Sequence, residues 1–124
     1  MKFKKVSALI FALFILAGSL SWAYTPAFMG YSAIKTADAL IYTGESWLYG
    51  IVVATDATNS VTVEIYDNTS ATGTQVHPDW IVPTSASNRM SVLSFDPPLN
   101  MDTGIYVDVT TSGTVSYTVY YRTK

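Results

Sequence analysis

The stretch GIYVDVTTSGTVSYTVYY at residues 104–121 decides the fold class. Ile105, Val107 and Val109 alternate with Tyr106 and Asp108. After Thr111-Ser112-Gly113 the alternation resumes, with Val115, Tyr117, Val119 and Tyr121 on one face and Ser116, Thr118 and Tyr120 on the other. A period of two, repeated on both sides of a glycine-containing turn, is the pattern of half-buried strands. It predicts two antiparallel strands joined as a hairpin.

Working outward, the same grammar recurs. Val61–Tyr66 (VTVEIY) alternates cleanly, so Tyr66 points away from the core if Val61, Val63 and Ile65 point into it. Trp47–Ala54 (WLYGIVVA) is apolar at almost every position and reads as a central strand apolar on both faces, bent at Gly50. Leu40–Thr43 and Arg89–Phe95 are shorter candidates, the latter closed by Asp96-Pro97-Pro98. Thr74–Val82 is expected at an edge, because Pro78 and Pro83 lack the donor a central ladder needs. Ser32–Leu40 is the single stretch with a helical look, and Thr36 and Asp38 weaken it. Strands at this spacing, with no crossover helices, predict an all-β domain: a small two-layer antiparallel β-sandwich of six to eight strands, with an open barrel as its competitor.

The N-terminus has a different character. Lys2, Lys4 and Lys5 precede an apolar run from Val6 to Ala17, and Ser21-Trp22-Ala23 places small residues where a signal peptidase cuts. Residues 1–23 therefore read as a secretory signal helix, its apolar run about half the length of a membrane-spanning segment. An uncleaved anchor is the alternative. Residues 24–39 form an arm and residues 40–124 the sandwich domain. The expected location is secreted, periplasmic or cell-surface, with membrane contact only through the signal segment during export.

The full chain of 124 residues has a formal net charge of −2 and no cysteine. Disulfides and thiolate metal sites are excluded. All nine acids lie after residue 23, with only Lys35, Arg89, Arg122 and Lys124 to balance them, so cleavage would leave −5. Such a surface repels a phosphate backbone, and no nucleic-acid partner is expected. After residue 23, Thr occurs 16 times, Ser 10 times and Tyr 9 times, which suits pleated surfaces and polar turns.

Chemistry-bearing residues are sparse. His77 is the only histidine, with Asp79 as its nearest acid, short of both a catalytic set and a metal shell. Asp67-Asn68-Thr69 offers hard oxygens, but calcium wants six to eight, and turns use the same letters. No cofactor, no metal and no enzymatic activity are expected. Aromatic residues are more informative. Tyr66, Tyr106, Tyr120 and Trp80 form a candidate contact or binding surface, for another protein or for a carbohydrate. Tyr24, Phe28, Met29 and Tyr31, in the uncharged stretch YTPAFMGY, form a candidate assembly arm, which either tucks along its own domain or adds a strand to a neighbour. Asn68-Thr69-Ser70 matches a glycosylation acceptor.

Several pieces also occur in a familiar order. These are Leu48-Tyr49-Gly50-Ile51-Val52-Val53, then Val63-Glu64-Ile65-Tyr66-Asp67 leading into Asn68-Thr69-Ser70-Ala71-Thr72-Gly73, then Phe95-Asp96-Pro97-Pro98-Leu99, Gly104-Ile105-Tyr106-Val107 and the closing strand to Tyr121. In these the run from Leu40 to Tyr121 resembles small structural proteins of tailed phages and of related uncharacterised bacterial loci. The resemblance implies a compact β-sandwich that acts by packing on a larger surface. Residues and resemblance together predict an exported, non-enzymatic structural or surface protein whose partner is itself or another surface protein. A carbohydrate- or ligand-binding module using exposed tyrosines is the alternative.

Overall fold

The computed structural model describes residues 29–124. The expected signal helix at residues 1–23 and the arm residues Tyr24 and Phe28 lie outside the described residues. Eight strands follow in order: β1 (Gly30–Tyr31), β2 (Ala39–Thr43), β3 (Ser46–Thr55), β4 (Val61–Asp67), β5 (Thr74–Val82), β6 (Met90–Met101), β7 (Gly104–Thr111) and β8 (Val115–Thr123). They form two four-stranded sheets, β1-β8-β3-β6 (sheet 1) and β2-β7-β4-β5 (sheet 2), and every pairing is antiparallel.

Alternation places the core. Leu48, Ile51 and Val53 from β3 and Val115, Tyr117 and Val119 from β8 meet Val61, Val63 and Ile65 from β4 and Ile105 and Val107 from β7. Burying each such side chain stabilises the fold by roughly 1.5–3 kcal/mol. With no disulfide available, this interlayer contact carries the stability.

The predicted hairpin at residues 104–121 is the main correction. β7 and β8 are both strands with the expected inward residues, yet β7 pairs with β2 and β4 while β8 pairs with β1 and β3. The turn between them crosses from one sheet to the other. An inward-facing alternation is satisfied equally well by neighbours in one sheet or by partners facing across the core, so the pattern alone does not choose. The connections β2–β3, β3–β4, β5–β6 and β6–β7 also change sheets, and β4–β5 alone is a hairpin within one sheet.

Two smaller differences have local causes. The segment from Ser32 to Asp38 is extended rather than helical. It runs beside β8 through Ser32 N–H to Val119 O and reciprocal Lys35–Tyr117 backbone bonds, then crosses to sheet 2. The buried Tyr117 hydroxyl donates to Ala37 O at 2.9 Å, and Val109 N–H donates to the Asp38 carboxylate at 2.9 Å. β6 does not stop at Phe95 but continues to Met101. Its partner register jumps from Ser94 opposite Gly50 to Leu99 opposite Leu48, so Phe95 to Pro98 form a bulge in β6. Proline is tolerated there because β6 is an edge strand and the bulge needs no ladder donor.

Gly50 sits at this register shift, in the middle of the central strand. A Cβ on it would lie 2.5 Å from Leu93 O and 3.2 Å from Ser94 Cα, both main-chain atoms of β6. Rotamer changes cannot relieve that clash. Gly50→Ala is therefore expected to destabilise the domain by about 1–3 kcal/mol, read from urea unfolding. A change within error would show that β6 is free to move away.

Candidate contact surface

Each end of the sandwich is organised by one aspartate. Asp56, just after β3, accepts from Thr58 N–H (2.8 Å), Asn59 N–H (2.9 Å) and Asn59 Nδ2 (3.0 Å), and across the end from Thr114 N–H (3.1 Å). It thereby ties the β3–β4 and β7–β8 crossings together. The donors from Asn59, first its backbone and then its side chain, hold this carboxyl well below the usual carboxylate range, with Thr58 and Thr114 adding to them. At the opposite end Asp67 accepts from the N–H groups of Asp102, Thr103 and Gly104 at 2.8–3.2 Å. Burial opposes its charge, but these backbone donors and the Lys124 charge outweigh it and its pKa is lowered. The oxygens of Asp67-Asn68-Thr69 are thus committed to turn geometry, since Asn68 Oδ1 also accepts from Thr69 N–H. Asn68 itself packs closely against Gly73.

His77 lies on edge strand β5, its Nδ1 2.6 Å from Pro78 O and its ring edge-on to Phe95. No group of three or more His, Asp or Glu with metal-holding geometry occurs among the described residues. A shallow cavity of about 470 Å³ between Thr36, Asp38, Val109, Thr111 and Thr114 is lined by hydroxyls and by a carboxylate that the Val109 N–H already engages.

The two outer faces differ sharply. On sheet 2, Tyr66 lies opposite Tyr106 and Glu64 opposite Asp108. The Tyr66 hydroxyl donates to Glu64 Oε2 at 2.6 Å. That bond, with some burial and the charges of Glu64, Asp108 and Asp79, pushes the Tyr66 phenol up to about 12. Asp108 is also raised, first by burial and then by the charges of Asp38 and Glu64. This face is acidic and its tyrosines are half-buried.

The outer face of sheet 1 is apolar. Met90 and Val92 on β6, Val52 and Ala54 on β3, Tyr120 on β8, and Met29, Tyr31 and Ile34 along the β8 edge all face it. Met29, Tyr31, Ile34, Met90 and Val92 are 57–73 % exposed. Tyr31 stands opposite Tyr120, their rings 6.5 Å apart. Over Gly50 a hollow of about 330 Å³ opens among Tyr49, Val52, Val92, Phe95, Tyr120 and Met29. The four strands of this sheet contain only two charged residues, Asp96 in the bulge and Arg122 near the C-terminus. Arg122 lies with Trp47, Tyr49, Pro97 and Pro98 around a second hollow, and Lys124 Nζ stands 4.8 Å from the centre of the Trp47 ring.

The predicted contact residues are therefore divided. Tyr120, Tyr31 and Met29 come together on sheet 1, with 30–35 laid along its own β8. Tyr66 and Tyr106 lie on the opposite face, and Trp80 is half-buried against the core. The contributions of Val52, Met90, Val92 and Ile34 were missed. The available signal was the doubly apolar strand Trp47–Ala54, whose outward half needs a cover. Comparison of the chain with protein-family models, curated proteins and solved structures gives no match.

Two outcomes are expected. Asp56 has a lower pKa folded than unfolded, so its contribution to stability is present above about pH 3.9 and is lost as the pH falls from there toward the folded value. Asp56→Asn should lower the thermal midpoint at pH 7 and flatten the fall between pH 5 and about 3; unchanged melts would show that its bonds contribute nothing. Separately, Glu64→Gln should bring the Tyr66 phenol down from about 12 toward the ordinary value of about 10 in an ultraviolet pH titration, and an unchanged titration would show that the Glu64 contact does not set it.

Proposed function

We propose that this is an exported, non-enzymatic structural or surface protein that works by contact, through self-association or decoration of a larger assembly. The observation that carries this reading is the apolar patch around Met90, Val92, Val52 and Tyr120 on the outer face of sheet 1. The largest apolar patch on a protein surface, typically about 300–600 Å², is often the one that functions in interaction. The division of labour between faces fits the reading: the acidic sheet 2 keeps the particle soluble while sheet 1 supplies area to be buried. The signal-like N-terminus supports export, and the likeness of residues 40–121 to phage-type structural proteins supports a packing role.

Carbohydrate binding on tyrosines is the second reading. It draws on Tyr66 and Tyr106 standing opposite each other with a carboxylate acceptor beside them. Glycan binding abolished by Tyr106→Ala would favour it.

The test of the contact reading is cell fractionation with imaging of the full chain carrying its own N-terminal segment. The protein is expected in an envelope or particulate fraction. The double substitution Met90→Lys and Val92→Lys changes only exposed edge-strand side chains and should release it by about tenfold or more, as removal of central contacts does elsewhere. A doubly substituted protein that folds and stays in place removes this face from the function.

A further inference from the structure

We propose that the outer face of sheet 1 is covered by a second copy of the same chain, packed face to face about a two-fold axis. This rests on the reading of that face as a contact surface and names its occupant. Charge is the first argument. A chain with this excess of acids can approach a copy of itself only where its acids are absent. Sheet 2 against sheet 2 would bring Glu64, Asp108 and Asp38 against their own counterparts, and desolvating like charges is costly. On sheet 1, Asp96 and Arg122 stand outside the Met90–Val52–Tyr120 patch, so apposition buries no unpaired charge.

Area is the second argument. Four strands at about 4.8 Å spacing, and a patch about five residues long at 3.3 Å each plus side-chain reach, present roughly 400–600 Å². Two such faces bury about 1,000 Å² together, the lower bound for a specific interface. A reversible, concentration-dependent dimer is the consequence.

Shape is the third. A two-fold axis for face-to-face packing lies in the interface plane. Set across the strands at the row Val92–Val52–Thr118, it exchanges the strand ends. Met90, two residues to one side of that row, then meets the hollow over Gly50, two residues to the other side, and the partner returns the same contact. A flexible methionine is suited to filling such a hollow.

Sedimentation of the full chain from about 1 to about 200 μM is expected to show monomer giving way to dimer. Val92→Lys should raise the dissociation constant about tenfold or more, while Ile81→Lys, on sheet 2 and equally exposed at 64 %, should leave it unchanged. The chain has no cysteine, so a spin label can be placed singly. In the dimer, labels on Thr118→Cys should lie within about 20 Å of each other and labels on Ile81→Cys beyond about 30 Å, given sheets about 10 Å apart. A monomer at every concentration, or a dimer with those two distances reversed, overturns the proposal. If the chain stays monomeric yet Met90→Lys with Val92→Lys still releases it in cells, the second copy is excluded and the contact face stands. If neither measurement responds, both fall.

Discussion

Two carboxylates hold three of the chain's crossings between sheets. Five connections between successive strands from β2 onward join strands in different sheets, and the backbone N–H groups that turn there need partners. Asp56 collects those of the β3–β4 and β7–β8 crossings, and Asp67 those of the β6–β7 crossing. Each aspartate lies at the end of a strand whose inward side chains form the core. The crossings are thereby fixed to the layers they connect. In a chain without cysteine these bonds do at the ends what interlayer packing does in the middle.

That arrangement leaves the outer faces free to diverge. A residue pointing outward from β3 or β6 contributes nothing to the core, so its identity is open to selection for other purposes. On sheet 2 this freedom yields carboxylates and tyrosines engaged with one another, as with Tyr66 and Glu64. On sheet 1 it yields Val52 and the exposed side chains of Met90, Val92 and Ile34. Gly50 links the two levels. Its missing side chain permits the close approach of β6, and Gly50 forms part of the floor of the hollow in the apolar face.

Much of this was legible along the chain. Strands β2, β3, β4, β7, β8 and the first half of β6 coincide with alternating or apolar runs, the inward residues of β4, β7 and β8 follow from period two, and Pro78 marks β5 as an edge. The two-residue β1 was not legible, because Gly30-Tyr31 has no periodicity to read and exists only through its bonds to β8. The extension of β6 past Asp96-Pro97-Pro98 was hidden for a related reason: proline reads as a stop unless an edge position and a bulge are known. For the candidate surface, period two turns Tyr120 outward, but nothing in the sequence joins it or the arm residues Met29 and Tyr31 to Val52 or Val92.

Alternation, composition and the missing cysteines by themselves determined the class: antiparallel strands, one apolar side each, no covalent staples and little reactive chemistry. These are local properties, set by backbone geometry and by which side of a strand each residue occupies. Tertiary structure decided the rest, namely that β7 and β8 face each other across the core instead of pairing, and that the outward residues of β1, β3, β6 and β8 share one face. Sheet membership depends on hydrogen-bond partners far away in the chain. A period of two says which residues turn inward, but not beside which strand they will stand.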